Sequence, residues 1–165
     1  MSENLEHIRQ VMREADCLHA QTEVEAAIAR IAAEVTGKLQ DANPVVFCVM
    51  NGGLIFAGQL LTMLDFPLEQ SYLHATRYRG KTRGAGLTWL RHPQVPMLGR
   101  RVLLVDDILD EGQTLLEVRQ ACMREGASDV RVVVLTRKDH DRCVPGIAAD
   151  YIGVEVPDRY VFGFG

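Results

Sequence analysis

Six consecutive apolar residues, Val45–Met50, lie between Pro44 and the turn-forming triplet Asn51-Gly52-Gly53. A short apolar run bounded on both sides fits a strand buried on both faces, and such strands belong to parallel sheets covered by helices. Val102–Val105 and Val130–Leu135 repeat the pattern, with Tyr151–Val156 as a fourth run. Leu68–Ala75 mixes apolar and polar residues and reads as a further strand. Between the runs the apolar period changes to that of a helix. Leu5–Leu18 places Leu5, Ile8, Val11 and Met12 about a turn apart, and Thr22–Glu25 has the S/T-x-x-E form of a capping box ahead of Val24, Ile28, Ile31, Val35 and Leu39. Leu54–Leu64 and Gln113–Glu125 complete the helices, the latter closed by Gly126. Strands alternating with helices predict an α/β fold, a parallel sheet built from right-handed crossovers and flanked by helices. In such sheets ligands bind beyond the carboxyl ends of the strands. The unusual residues follow the apolar runs: Asn51-Gly52-Gly53, Asp106-Asp107, Lys138 and Asp158.

At 165 residues the chain has the length of one domain. Its net charge of −4 argues against a broad nucleic-acid surface, which needs a basic face. No apolar run approaches the ~20 residues of a membrane span. The polar start, Met1–Gln10, does not read as an export signal. The cysteines, Cys17, Cys48, Cys122 and Cys143, are widely spaced and read as reduced thiols, Cys48 and Cys122 as core filler. The expected compartment is the cytoplasm. The histidines show no metal-ligand spacing, and His140, between Asp139 and Asp141, reads as solvated. Arg77–Gly86, rich in basic residues and glycine, reads as a mobile surface loop, with Trp89 at its base or in an oligomer contact.

The most informative segment runs from Val102 to Thr114. Asp106, Asp107, Asp110 and Glu111 lie between a buried strand and a helix start. Acids at a helix N-terminus stabilise it by ~0.3–1 kcal/mol each, which accounts for one or two of them. Adjacent carboxylates leaving a buried strand repel one another unless a cation or hydroxyl donors offset the charge. The amides of Glu111, Gly112, Gln113 and Thr114 can hold a phosphate at the helix start, Gly112 allowing close approach and Thr114 adding a hydroxyl. Asp106 and Asp107 can hold sugar hydroxyls directly or through Mg²⁺. The segment thus suits a phosphorylated sugar.

This stretch resembles the phosphoribosyl diphosphate (PRPP) binding motif of the type I phosphoribosyltransferases, and the region from Pro44 to Phe164 is similar to the hypoxanthine-guanine branch of that family. The resemblance implies the type I phosphoribosyltransferase fold as a single domain over residues 1–165, with a core of about 44–150 and a small hood from about 1–20 and 151–165. It implies purine salvage: Mg²⁺-dependent transfer of phosphoribose from PRPP to hypoxanthine or guanine. PRPP would be held by Asn51, Gly52, Asp106, Asp107, Asp110, Glu111, Gly112, Gln113 and Thr114. Asp110 matches the general base near purine N7, and Lys138 the donor to the 6-oxo group. Tyr151-Ile152-Gly153-Val154-Glu155-Val156-Pro157-Asp158 matches an aromatic-x-G-x-E-x-P-D segment, which implies that Tyr151 stacks on the purine, the Ile152 backbone reads the base edge and Asp158 lies at the purine site. Metal would be held by Asp106, Asp107 and Asp158. Arg77-Tyr78 matches a lid position. Relatives commonly have Leu-Lys-Gly with a non-proline cis peptide after the first core strand; here Met50-Asn51-Gly52 lacks the lysine. Relatives also usually continue with an acidic, arginine-containing tail that helps bind diphosphate, whereas the sequence here stops at Gly165, so either residues beyond it or another group makes that contact. A homodimer or homotetramer is expected. The alternative is a PRPP-binding regulator without catalytic activity. A phosphoacceptor receiver domain, which also ends a strand in Asp-Asp, needs more chain after those acids than is present.

Overall fold

A computed structural model describes residues 2–77 and 87–164. In chain order the elements are α1 (Ser2–Glu14), α2 (Gln21–Leu39), β1 (Val45–Met50), α3 (Leu54–Leu61), β2 (Glu69–Arg77), β3 (Leu87–Arg91), β4 (Arg101–Leu109), α4 (Gln113–Arg124), β5 (Asp129–Asp139) and β6 (Tyr151–Pro157). The six strands form one sheet in the order β3-β2-β1-β4-β5-β6. Every pairing is parallel except β2–β3, which is antiparallel and bulged between His74 and Ala75. The expected α/β architecture is therefore present, with an antiparallel edge strand that the polar and aromatic sequence of 87–91 did not reveal.

Alternation along the strands splits the core into two layers. Val46, Cys48, Leu103, Val105, Val133 and Leu135 face α2 and α3, which contribute Ile28, Ile31, Val35, Phe56 and Leu60. Val45, Phe47, Val49, Val102, Leu104, Val132 and Val134 face α4, which contributes Leu115, Val118 and Cys122. Cys48 and Cys122 are buried as expected, and all four cysteines are free. Helix α2 begins earlier than its Thr22–Glu25 signature suggested. Ala20 is the N-cap, and the Glu23 side chain accepts the Ala20 backbone N–H at 2.7 Å, so only the acidic half of a capping box forms.

Tyr151–Pro157 pairs along β5, from Val133↔Tyr151 to Asp139↔Pro157. This segment extends the sheet and is not part of a separate hood. What remains outside the sheet at the two ends is α1 with its following turn and residues 158–164. These ends meet: Arg159 pairs with Asp16 at 3.2 Å, and a His19 ring nitrogen lies 2.9 Å from the Glu155 carbonyl oxygen. Helix α1 carries Leu5, Ile8, Val11 and Met12 exposed on its surface. Among the described residues no helix is long and apolar enough to cross a membrane.

Candidate active site

Strand β1 pairs with β4 only as far as Cys48↔Val105. Beyond that level β1 turns away, while β4 continues on β5 through Asp106↔Val134, Ile108↔Thr136 and Leu109↔Arg137. The acids therefore lie within a strand, not after it, where one neighbouring strand has departed. The Asn51-Gly52-Gly53 turn fills the gap, with a cis peptide between Met50 and Asn51. A Cβ on Gly52 would stand 2.6 Å from both Asp107 carboxylate oxygens, and one on Gly53 would stand 2.6 Å from the Val105 carbonyl oxygen. The two glycines are what lets the turn and the acids share this space. Asn51 itself is exposed.

Asp106 and Asp107 interact directly. The Asp107 backbone N–H donates to Asp106 Oδ1 at 3.0 Å. Burial first, then the Asp107 charge and a side-chain hydrogen bond with Asp107, holds the Asp106 carboxyl well above the usual carboxylate range. The same surroundings push the Cys48 thiol up to about 11, through burial and then the charges of Asp106 and Asp107. No salt bridge reaches either acid among the described residues. A pair of hard oxygen donors with uncompensated charge suits a divalent cation of the magnesium type or a set of hydroxyl donors.

The following turn leads into α4. Gly112 is its N-cap at φ 77°, with no side-chain cap. A Cβ there would meet Ile147 Cγ2 at 2.7 Å and Leu109 Cδ1 at 3.0 Å. A helix start without a side-chain cap presents its first amides, here around Gln113 and Thr114, as anion donors. The Glu111 carbonyl accepts the Val144 N–H at 2.9 Å, tying the turn to the loop after β5.

Asp110 follows Leu109, the last β4 residue paired with β5, and Lys138 follows its partner Arg137. One further step along the ladder brings the two together. Lys138 Nζ donates to Asp110 Oδ2 at 2.7 Å, and His140 Nε2 lies 2.7 Å from Oδ1. Lys138, chiefly by its hydrogen bond, and His140 more weakly hold the Asp110 carboxyl below its ordinary range, against an opposing contribution from burial. Lys138 was placed after the strand by sequence; it lies inside β5, with a side chain 14% exposed. His140 is the clearest correction. It was read as solvated, yet its side chain is only 5% exposed and bonded to Asp110. The flanking Asp139 and Asp141 masked it, and only its spacing of two from Lys138 hinted at a common direction.

Asp158 is bound by Arg142 through both carboxylate oxygens, one contact at 2.9 Å. That pairing draws its carboxyl down to about 2. Arg142 also lies 3.6 Å from Asp110 Oδ1. Ligand atoms of Asp110, His140 and Asp158 gather within 4.8 Å of one another. Lys138 and Arg142 balance these acids in this arrangement.

Two further expectations change. Tyr151 is 6% exposed and packs in the α2/α3 core layer, so it offers no face to a base. Its hydroxyl is buried without a partner among the described residues, and burial pushes it up from its ordinary range. Ile152 is paired with Val134 inside β6, and Arg30 donates to its carbonyl at 2.9 Å, so this carbonyl does not read a base edge. Alternating apolar residues in a strand had imitated a binding motif. An exposed aromatic residue stands nearer the acidic end of the sheet: Tyr160, two residues past Asp158 and 83% exposed, within 6.1 Å of the Phe162 ring. Of the lid pair, Arg77 ends β2 and Tyr78 lies outside the described residues, as do Arg79, Lys81 and Arg83. Trp89 stacks on His92 at 4.7 Å. A groove of about 710 Å³ bordered by Lys38, Asn43, Arg100 and Arg101 lies at the opposite, N-terminal ends of the strands.

The geometry thus brings Asn51, Gly52, Asp106, Asp107, Asp110, Gly112, Thr114 and Lys138 to one end of the sheet. Residues 14–164 match the model of the phosphoribosyl transferase domain. The chain belongs to the phosphoribosyltransferase family. The match begins well before Pro44, where the motif resemblance had started. A hypoxanthine-guanine-xanthine phosphoribosyltransferase from Tritrichomonas foetus is 33% identical over 148 residues, covering 90% of this chain and 81% of that protein. A hypoxanthine-guanine phosphoribosyltransferase of Bacillus subtilis is 30% identical, covering 90% of this chain and 82% of its own length. Among solved phosphoribosyltransferase structures, a hypoxanthine-guanine-xanthine enzyme superposes with a TM-score of 0.76 at 31% identity, covering 91% of this chain and 84% of that one. A Staphylococcus aureus hypoxanthine phosphoribosyltransferase shares the fold at a TM-score of 0.86 and 23% identity, covering 94% of this chain and 85% of that one.

Proposed function

We propose that this phosphoribosyltransferase serves purine salvage, transferring phosphoribose from PRPP to hypoxanthine or guanine to give IMP or GMP and diphosphate. The observation that carries the reading is the Asp110–Lys138 pair, with Nζ and Oδ2 2.7 Å apart, beside a helix start suited to a phosphate. A 6-oxopurine presents a proton donor at N7 and an acceptor at O6 on one edge; a carboxylate beside an ammonium complements both. Adenine offers a donor in place of O6 and lacks this match.

The 5′-phosphate sits on the amides of Gly112, Gln113 and Thr114, with Glu111 at the rim. Asp106 and Asp107 take the ribose hydroxyls, directly or through metal. Asn51 and Gly52 face the diphosphate from the β1 turn. Asp106 and Asp107 would hold magnesium, which would supply charge neutralisation to the leaving diphosphate. As the bond to C1 breaks, positive charge develops on the ribose and the two aspartates stabilise it. Asp110 accepts the N7 proton while N9 attacks. Tyr160 offers its exposed ring as a platform for the base, the role first expected of Tyr151. A lid role for Arg77 and Tyr78, as the resemblance implies, would exclude water from the reacting carbon. The protein acts as a single domain, in the cytoplasm and as a homodimer or homotetramer.

Nucleotide formation from PRPP with hypoxanthine, guanine or adenine, with and without Mg²⁺, tests this. A 6-oxopurine should be converted only with metal, and adenine at least about a hundredfold less efficiently. Asp110→Asn should lower kcat about a hundredfold. Binding of PRPP with no base converted would favour the regulator instead.

A further inference from the structure

Asp110 is held by two donors of different character. Lys138 reaches one oxygen from a flexible stem. His140 reaches the other from a ring that is nearly enclosed and fixed at both nitrogens. Its Nδ1 accepts the Arg142 backbone N–H at 3.1 Å. A nitrogen that accepts carries a lone pair, so the ring proton is on Nε2, and Nε2 donates to Asp110 Oδ1 at 2.7 Å. The loop that sets this tautomer is anchored at two points. Arg142 is locked to Asp158 after β6, and the Val144 N–H is bonded to the Glu111 carbonyl in the turn that carries Asp110.

We propose that His140 is a positioning residue for Asp110: its Nε2–H pins Oδ1, so that when Lys138 turns to the purine oxygen, Oδ2 remains aimed at the N7 proton. The inference rests on the transferase reading above. Lys138 Nζ has three donors and can keep one on Asp110 while another serves the purine O6, but its flexible stem lets that hold on the carboxylate shift. A carboxylate held only by such a mobile donor rotates about its terminal torsion, which is broad for such groups. Rotation spreads the acceptor lone pairs over many directions and thins the population aligned for proton transfer. The imidazole stays because its other nitrogen is bonded to backbone, not to anything that moves with substrate. Lys138 thus serves the substrate, and His140 serves the base.

The test compares wild type, His140→Phe and His140→Gln under saturating PRPP and hypoxanthine. His140→Phe keeps the bulk and removes the donor; kcat should fall at least about tenfold while KM for PRPP stays within about twofold. His140→Gln can place an amide N–H near the former Nε2 and should recover kcat to within about threefold of wild type. Thermal unfolding confirms that both variants are folded, and ¹⁵N NMR of the wild-type ring should show the Nε2–H tautomer at neutral pH. A kcat for His140→Phe within twofold of wild type overturns the proposal, as does a Gln variant no better than Phe, or a ring protonated at Nδ1. If wild type converts no purine at all, the transferase reading fails, and the tautomer measurement alone decides whether the ring holds Asp110.

Discussion

Asp158 illustrates how a single side chain is assigned by its neighbour. The Arg142 guanidinium engages both its oxygens and draws its carboxyl down to about 2. A carboxyl that titrates lower in the folded chain than in the unfolded one stabilises the fold above its unfolded value, and that contribution disappears as pH falls through the folded value. The Tm of wild type should therefore exceed that of Asp158→Asn near neutrality. The gap should shrink as the pH is taken from about 4 to about 2, as read by calorimetry across that range. Asp106 stands on the other side of the balance: burial and Asp107 hold its carboxyl up. The pair of acids is unfavourable by itself and useful where charge or hydroxyls offset it, the compromise by which functional residues give up stability.

At the scale of elements, the β1–α3 turn is the tightest joint. Gly53→Ala would place its Cβ 2.6 Å from the Val105 carbonyl and 2.9 Å from that of Val49, both backbone atoms with no room to move. A cost of about 1–3 kcal/mol is expected in denaturant unfolding. Gly58, on the exposed side of α3, has nothing within 4 Å of its Cβ position, and Gly58→Ala should add about 0.5–1 kcal/mol by the same measurement. The elements that could be read from sequence were those with an unbroken apolar run or a sustained period. Val45–Met50 matched β1 residue for residue. Strand β4 was cut short because its paired length is set by β5 and not by its own polarity: Asp106 and Asp107 end the apolar run but not the hydrogen bonding. Strand β3 was missed because an edge strand needs no continuous apolar face. The turn into α4 was legible because acids and glycine followed by a helical period mark a helix start. His140 and Arg142 were not, since what defines them is contact with residues 30 and 16 positions away. Tyr151 misled for the converse reason: an aromatic residue opening a strand looks alike whether its ring faces a ligand or the core.

Over the whole molecule, the chain's two ends close on each other across one edge of the sheet. The Arg159–Asp16 contact links them, but these side chains are 50% and 75% exposed. An exposed pair contributes little, so Asp16→Ala should change global stability by less than about 1 kcal/mol in urea titrations. The two core layers, not surface charges, hold the domain. The layer facing α4 runs from β2 through β5, the layer facing α2 and α3 from β1 through β5, and β6 adds buried Tyr151 and Val156 at the far edge.

The ladder between β4 and β5 has a consequence for how such a protein can change. Because Leu109 pairs with Arg137, Asp110 and Lys138, proposed above as the proton acceptor and the group that distinguishes one base from another, are carried on a shared register. Losing or gaining one residue in either strand would shift them apart together with every pair below. Altered preference is therefore accessible through replacements at these positions, while insertions that spare the rest of the domain would disable turnover and discrimination in a single event.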